Sequence, residues 1–469
     1  MIFNSFNFLI IYPFIFLFYY VIPARHKKIR NIFLLLVSYS LYISWKPIYA
    51  LILFGVTLFS YLTATQIEKS KNQKLTMIIG IFATLMPLLF FKYFNFINEQ
   101  IVDSLSFIGI QIQLKGLNWA IPLGISFYTF QSMGYIWDVY YKKITSEKDF
   151  LTYALFISFF PSLLMGPINK ASLVIPQIKN LRTYFDYPKA VEGLRMILWG
   201  MFMKVVVADR VAIYVDTVLP FYNSYSGITC YVATIFYSIQ IYADFAGYSL
   251  MAIGVGKSLG FELTENFRRP YFAVSVTDFW HRWHISLSTW LKDYVYIPLG
   301  GSRCSKSRNY LNIFYTFLVS GIWHGASWTF IVWGCLHGVF QIVEKFIGQQ
   351  KCQYGWFGKG IKIIITFFLI NFLWIFFRMP TLDDAWGIIH KIIDFNTSEY
   401  FFKGDMWKSM CLVCILLFIK DFKDEFFQNQ LGLLHNKIKF IRWVTYIFLI
   451  FIILYLGVFG SDQFIYANF

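Results

Sequence analysis

The chain has 469 residues, 58% hydrophobic and 22% aromatic, with 14% charged and a mean hydropathy of +0.55. A water-soluble domain carries about 25% charged residues, so this composition excludes an ordinary soluble enzyme and indicates an integral membrane protein. The formal charge of +16 fits Lys and Arg held in cytoplasmic loops, where they would meet anionic lipid headgroups or a phosphate-bearing donor. No basic stripe tracks a phosphate backbone, so nucleic acid is not an expected partner.

Runs of ~20 apolar residues are the unit of a membrane-spanning chain. They fall near 6–23, 31–46, 48–65, 75–92, 119–138, 151–168, 192–218, 226–257, 310–345 (two), 360–378, 406–420 and 441–459. The expectation is an all-α polytopic protein with roughly eleven membrane-inserted segments. The first run lacks a basic flank and a small-residue cleavage site, so it is expected to be retained as a helix. "RHKKIR" (25–30) and "EKSKNQK" (68–74) are basic, which places them in the cytoplasm and the N-terminus outside. Residues 167–194 have the pattern of interfacial amphipathic helix. The chain is expected to form one membrane domain: packing helices over 1–118, a polar-interrupted core over 119–345, and packing helices over 346–469.

The core carries the chemistry. His324 lies in "SGIWHGASWTF", where an ionisable side chain needs a partner or a task. Gly321 and Gly325 form a G-x-x-x-G spacing that would admit a neighbouring helix, and Ser320 and Trp328 would flank His324 on one helical face. His324 is either a hydrogen-bonded packing residue or a general base, neutral when desolvated. In "TDFWHRWHISLSTWLKDYVYIPLGG", His281 and His284 would share a helical face. The carboxylate and cysteine partners of a zinc site are missing, so no metal is expected. Trp280, Trp283, Trp290 and Trp323 with nearby basic residues suit a membrane interface.

Asp244, in "IQIYADFAGYS", would either orient a histidine or pair with an arginine. Lys204 and Arg210, in "MKVVVADRVAIY", would either meet phosphates of a cytosolic donor or snorkel to headgroups. Cys411 and Cys414 have CxxC spacing within an apolar run and, like Cys352, suit no redox centre. No nucleophile elbow and no Gly-rich phosphate loop appears.

"DFAGYSLMAIGVGKSLGFELTENFRRPY", the His284 segment and "SGIWHGASWTFIVWGCLHG", in that order, resemble the membrane-bound O-acyltransferase superfamily. The chain is most similar to its bacterial branch containing the alginate O-acetylation membrane subunit, a likeness shared by "IPLGISFYTFQSMGYIWDVY" and "YALFISFFPSLLMGPI". The resemblance implies a helical annulus with a central tunnel, in the bacterial inner membrane. It implies O-acyl transfer from a cytosolic donor, acetyl-CoA or another acyl thioester, with no permanently bound cofactor. An extracytoplasmic partner protein would pass the group to a surface polysaccharide or peptidoglycan. His324 and His284 match the family's motif histidines as catalytic residues, with Asp244, Trp283, Trp323, Lys204 and Arg210 as candidate substrate contacts. Leu250, His281, Lys170 and the tail "QFIYANF" depart from the branch's pattern without touching His324. The competing expectations are a D-alanyl transferase of the teichoic-acid type, using a carrier-protein thioester, and a polysaccharide transporter or scaffold.

Overall fold

The structure, a computed structural model, describes residues 6–112, 114–117, 119–180, 184–348, 355–394, 404–427 and 432–459. Cys352 and the tail "QFIYANF" lie outside the described residues. Helices account for the regular structure there, and no strand occurs among the described residues. Pro47–Ile67, Gln73–Phe107, Trp356–Arg378 and Lys439–Leu456 are long and apolar enough to cross a membrane, and Asn7–Val21 is a shorter apolar helix. Large side chains such as Phe14, Leu51, Ile79 and Leu454 point outward on these helices, as hydrocarbon contact requires. The run near 310–345 forms two helices, Lys306–His324 and Trp328–Phe346. Leu382–Asp394 is an additional amphipathic helix of 13 residues, shorter than the ~20 that cross a bilayer.

The chain divides into two compact units. The first comprises Met1–Gly193 with Ala252–Thr264. Its polar residues face inward and bond along their own helices: Ser38, Thr57, Ser60 and Thr84 each donate to the carbonyl four residues earlier, which satisfies a hydroxyl where no water reaches. Between Phe150–Ser158 and Phe160–Leu163 the helix breaks, and the Phe160 amide donates to Ser38 Oγ at 3.1 Å. Pro47 opens its helix at a position where its missing N–H is harmless. Ala171–Lys179 falls within the stretch expected to be interfacial.

The second unit comprises Leu194–Met251 with Glu265–Asn468. Here the helix after Met201 is π-helical over Phe202–Ala208, a local widening that leaves backbone groups for other partners. The freed Val205 carbonyl accepts from the Val458 amide at 2.9 Å. Close helix approach depends on glycine: a Cβ on Gly200 would lie 2.6 Å from the Gly247 carbonyl oxygen.

Candidate active site

Both motif histidines sit at ends of helices. Lys306–His324 stops at His324 itself, with Gly325 extended as its cap. The chain then turns, and Ser327 caps Trp328–Phe346 by accepting from the Thr329 amide at 3.3 Å. The expected continuous helical face is therefore interrupted: Ser320 is buried beside His324, whereas Trp328 opens the next helix and is half exposed. Small residues explain the turn. A Cβ on Gly325 would lie 2.1 Å from the Phe330 ring, and one on Gly321 would lie 2.4 Å from the Phe330 carbonyl oxygen. Gly334 answers from the second helix, where a Cβ would lie 2.5 Å from the Phe317 carbonyl. The close approach expected of G-x-x-x-G is thus made by Gly321 within one helical hairpin.

That hairpin encloses the His324 ring, 2% exposed, among aromatic neighbours. The rings of Trp323 and Trp333 lie 4.9 Å away and Phe377 lies 5.2 Å away, all edge to face. Trp323 also contacts His284 at 6.0 Å between centroids, so one indole bridges the two histidines.

His284 follows the end of Val276–Arg282 and adopts φ 45°, ψ 53°. Left-handed backbone at a non-glycine residue costs on the order of 1–3 kcal/mol and needs surroundings that enforce it. The break separates the two histidines expected on one face: His281 is exposed and His284 fully buried. Asn266 supplies the enforcement. Its backbone carbonyl accepts from the Ile285 amide at 2.9 Å, and its side-chain oxygen accepts from the Ser286 amide at 3.3 Å and the Ser286 hydroxyl at 2.8 Å. These bonds cap Ile285–Leu291 from a remote segment, in place of a local capping side chain. His284 Nδ1 lies 3.1 Å from the same Asn266 oxygen, while the amide nitrogen donates to Ser249 Oγ at 2.9 Å. Phe245 packs on the His284 ring at 4.7 Å.

The remaining candidates separate. Trp283 is fully buried against Phe267 and Trp374, each at 5.0 Å. Asp244 and Asp209 both pair with Lys204, at 2.8 and 2.7 Å, in a wholly buried triad. Asp244 therefore pairs with Lys204 in place of the arginine expected from the sequence. Arg210 donates through Nε at 2.9 Å to the Leu456 carbonyl and through Nη1 at 3.1 Å to Ser409, which serves the open C-terminal end of Lys439–Leu456. A cleft of 370 Å³ lies in the first unit, away from either histidine in sequence; Lys189 and Glu262, two of its lining residues, pair at 2.9 Å.

Two residues were not singled out by sequence. "ENFRRPY" stands out as polar, yet nothing local marks Asn266 as the partner of a side chain 18 positions on. His337, in "CLHG", accepts from Trp280 Nε1 at 3.1 Å and packs 4.7 Å from Trp333; its signal is a histidine in an apolar run, the same signal that singles out His324.

These features define a polytopic membrane protein with two histidines buried around a shared tryptophan. Residues 140–379 match the model of the membrane-bound O-acyltransferase family. The chain is 36% identical to a probable alginate O-acetylase of Pseudomonas aeruginosa, over 85% of this chain and 76% of that protein. It is 35% identical to a peptidoglycan O-acetyltransferase of Helicobacter pylori, over 81% and 77%. A teichoic acid D-alanyltransferase of Bacillus subtilis is more distant, 28% identical over 53% of this chain and 67% of that one. The chain belongs to the membrane-bound O-acyltransferase family. It is an O-acyltransferase.

Proposed function

We propose that the protein moves an acetyl group from cytosolic acetyl-CoA toward an extracytoplasmic polysaccharide or peptidoglycan, handing it to a partner protein outside the membrane. The names of the alginate and peptidoglycan relatives support the acceptor class. The basic loops at 25–30 and 68–74 support an inner-membrane orientation with the N-terminus outside. The observation that carries the mechanism is His324, closed in by Trp323, Trp333 and Phe377 and linked through Trp323 to His284.

Transfer to a hydroxyl breaks the thioester C–S bond and forms a C–O bond. The hydroxyl proton passes to His324 and then to the departing thiolate, so the imidazole returns to its starting state. A positioned base of this kind contributes on the order of 10²–10⁴ in rate. His284 orients the acceptor or the donor carbonyl, or stabilises the oxyanion when protonated. In this reading Lys204, Arg210 and Asp244 act through the helices they hold, Trp323 lines both histidines, and Trp283 packs behind His284 against Phe267 and Trp374.

The test is the acetyl ester content of surface glycans in wild type, deletion and His324→Gln cells, with membrane levels of the variant measured. Ester lost in both mutants, with the variant inserted at normal level, is the expected result. Ester retained in His324→Gln but lost on deletion would indicate a scaffold or transporter, and loss of surface D-alanine instead of acetyl would indicate the teichoic-acid chemistry.

A further inference from the structure

We propose that Asn266 is a positioning residue that holds His284 as the Nδ1–H tautomer, which makes Nε2 a hydrogen-bond acceptor toward the substrate. The inference deepens the acyl-transfer proposal and rests on it.

The orientation of the Asn266 amide follows from one backbone group. The Ser286 amide can only donate, and it points at the Asn266 oxygen from 3.3 Å; with the amide turned over, two donors would face each other. The nitrogen then faces Ser249 Oγ at 2.9 Å, which accepts. Since that Asn266 oxygen has no proton to give, the 3.1 Å contact from His284 is a hydrogen bond only if Nδ1 carries the hydrogen. In the neutral ring Nε2 is therefore an acceptor. Toward substrate it takes a hydrogen bond from an O–H or N–H other than the one His324 deprotonates, and it does not donate to an oxyanion, which narrows the role of His284 to orienting substrate through such a donor. Asn266 itself is 1% exposed, so water does not compete for these bonds.

The same side chain caps Ile285–Leu291, so loss of activity alone would not separate positioning from folding. The deciding measurement is the ¹⁵N chemical shift of the His284 ring nitrogens in full-length protein labelled at histidine and held in lipid bilayers. His284→Gln assigns the signals. The expected result is a protonated Nδ1 and bare Nε2 in wild type. Asn266→Asp, which keeps acceptor oxygens toward His284 and Ser286, should retain the Nδ1 proton. Asn266→Ala should lose the single-tautomer signal and lower surface ester on the order of tenfold or more, the penalty of a misheld imidazole. A wild-type ring protonated at Nε2 alone overturns the proposal without any reference to activity. So does Asn266→Ala with both tautomer and ester unchanged. If His324→Gln keeps its ester while the tautomers behave as expected, the acyl-transfer mechanism fails and the assignment of the proton stands.

Discussion

Lys204 stands between two carboxylates, Asp209 and Asp244, with all three side chains buried. Removing one partner of such a group leaves an uncompensated charge and costs about 3–5 kcal/mol. Lys204→Met is therefore expected to lower thermal stability steeply in detergent, while Lys204→Met with Asp209→Asn and Asp244→Asn recovers much of the loss. A single variant as stable as wild type would mean that the triad is not ionised as drawn. That charged residues inside an apolar run matter is legible in the sequence, because their cost there demands a partner. Which partner is not legible, since Asp244 lies 40 positions from Lys204 and only folding brings them together. The same limit hides Asn266 from His284, and it hides the left-handed backbone at His284, which no residue type announces.

At the scale of the helix, the four helices long and apolar enough to cross a membrane can be seen from hydropathy, and the division of 310–345 into two helices from the length of that run. The breaks at His324 and at Trp283–His284 cannot, because glycine, alanine and serine serve equally in a tight crossing and in a turn. Gly321 and Gly334 make the hairpin testable. A methyl group on either meets backbone carbonyl oxygen, which cannot swing away as a side chain would. Gly321→Ala and Gly334→Ala should each destabilise by about 1–3 kcal/mol and reduce the amount of folded protein in membranes. Gly360→Ala, in a helix with open space around it, should leave stability unchanged or slightly raised, as alanine is the better helix former. Glu344 accepts from the amides of Val276 and Thr277, at 2.5 and 3.0 Å, and so closes the start of Val276–Arg282. Glu344→Ala should cost about 0.5–2 kcal/mol, read as a lower melting temperature.

For the molecule as a whole, charge outside the membrane ties loops to helix ends. Glu68, just past Pro47–Ile67, accepts from the Ser146 amide at 2.6 Å and pairs with Lys148. Its hydrogen bond from Lys148 holds the carboxyl at about 2, below the ordinary 4.5. A depressed carboxylate contributes its stability above the unfolded value and loses it as pH falls toward the folded one. The melting temperatures of wild type and Glu68→Gln should thus differ modestly at pH 7 and converge as pH is lowered from 4.5 toward 2. The pair is exposed enough that salt should shrink the difference. Orientation is read separately: a single cysteine replacing Lys71 should react with an impermeant thiol reagent only in inverted vesicles.

The π-helical stretch Phe202–Ala208 has a consequence for anyone comparing this enzyme with its relatives. A widened turn accommodates one residue more than a regular helix does, and each residue turns the helix by about 100°. A relative whose helix is regular there would need a one-position gap near Val205. Without that gap, the counterpart of Asp209 would be sought one place along and on the wrong side of the helix, and a substitution copied between the two proteins would land on a different neighbour.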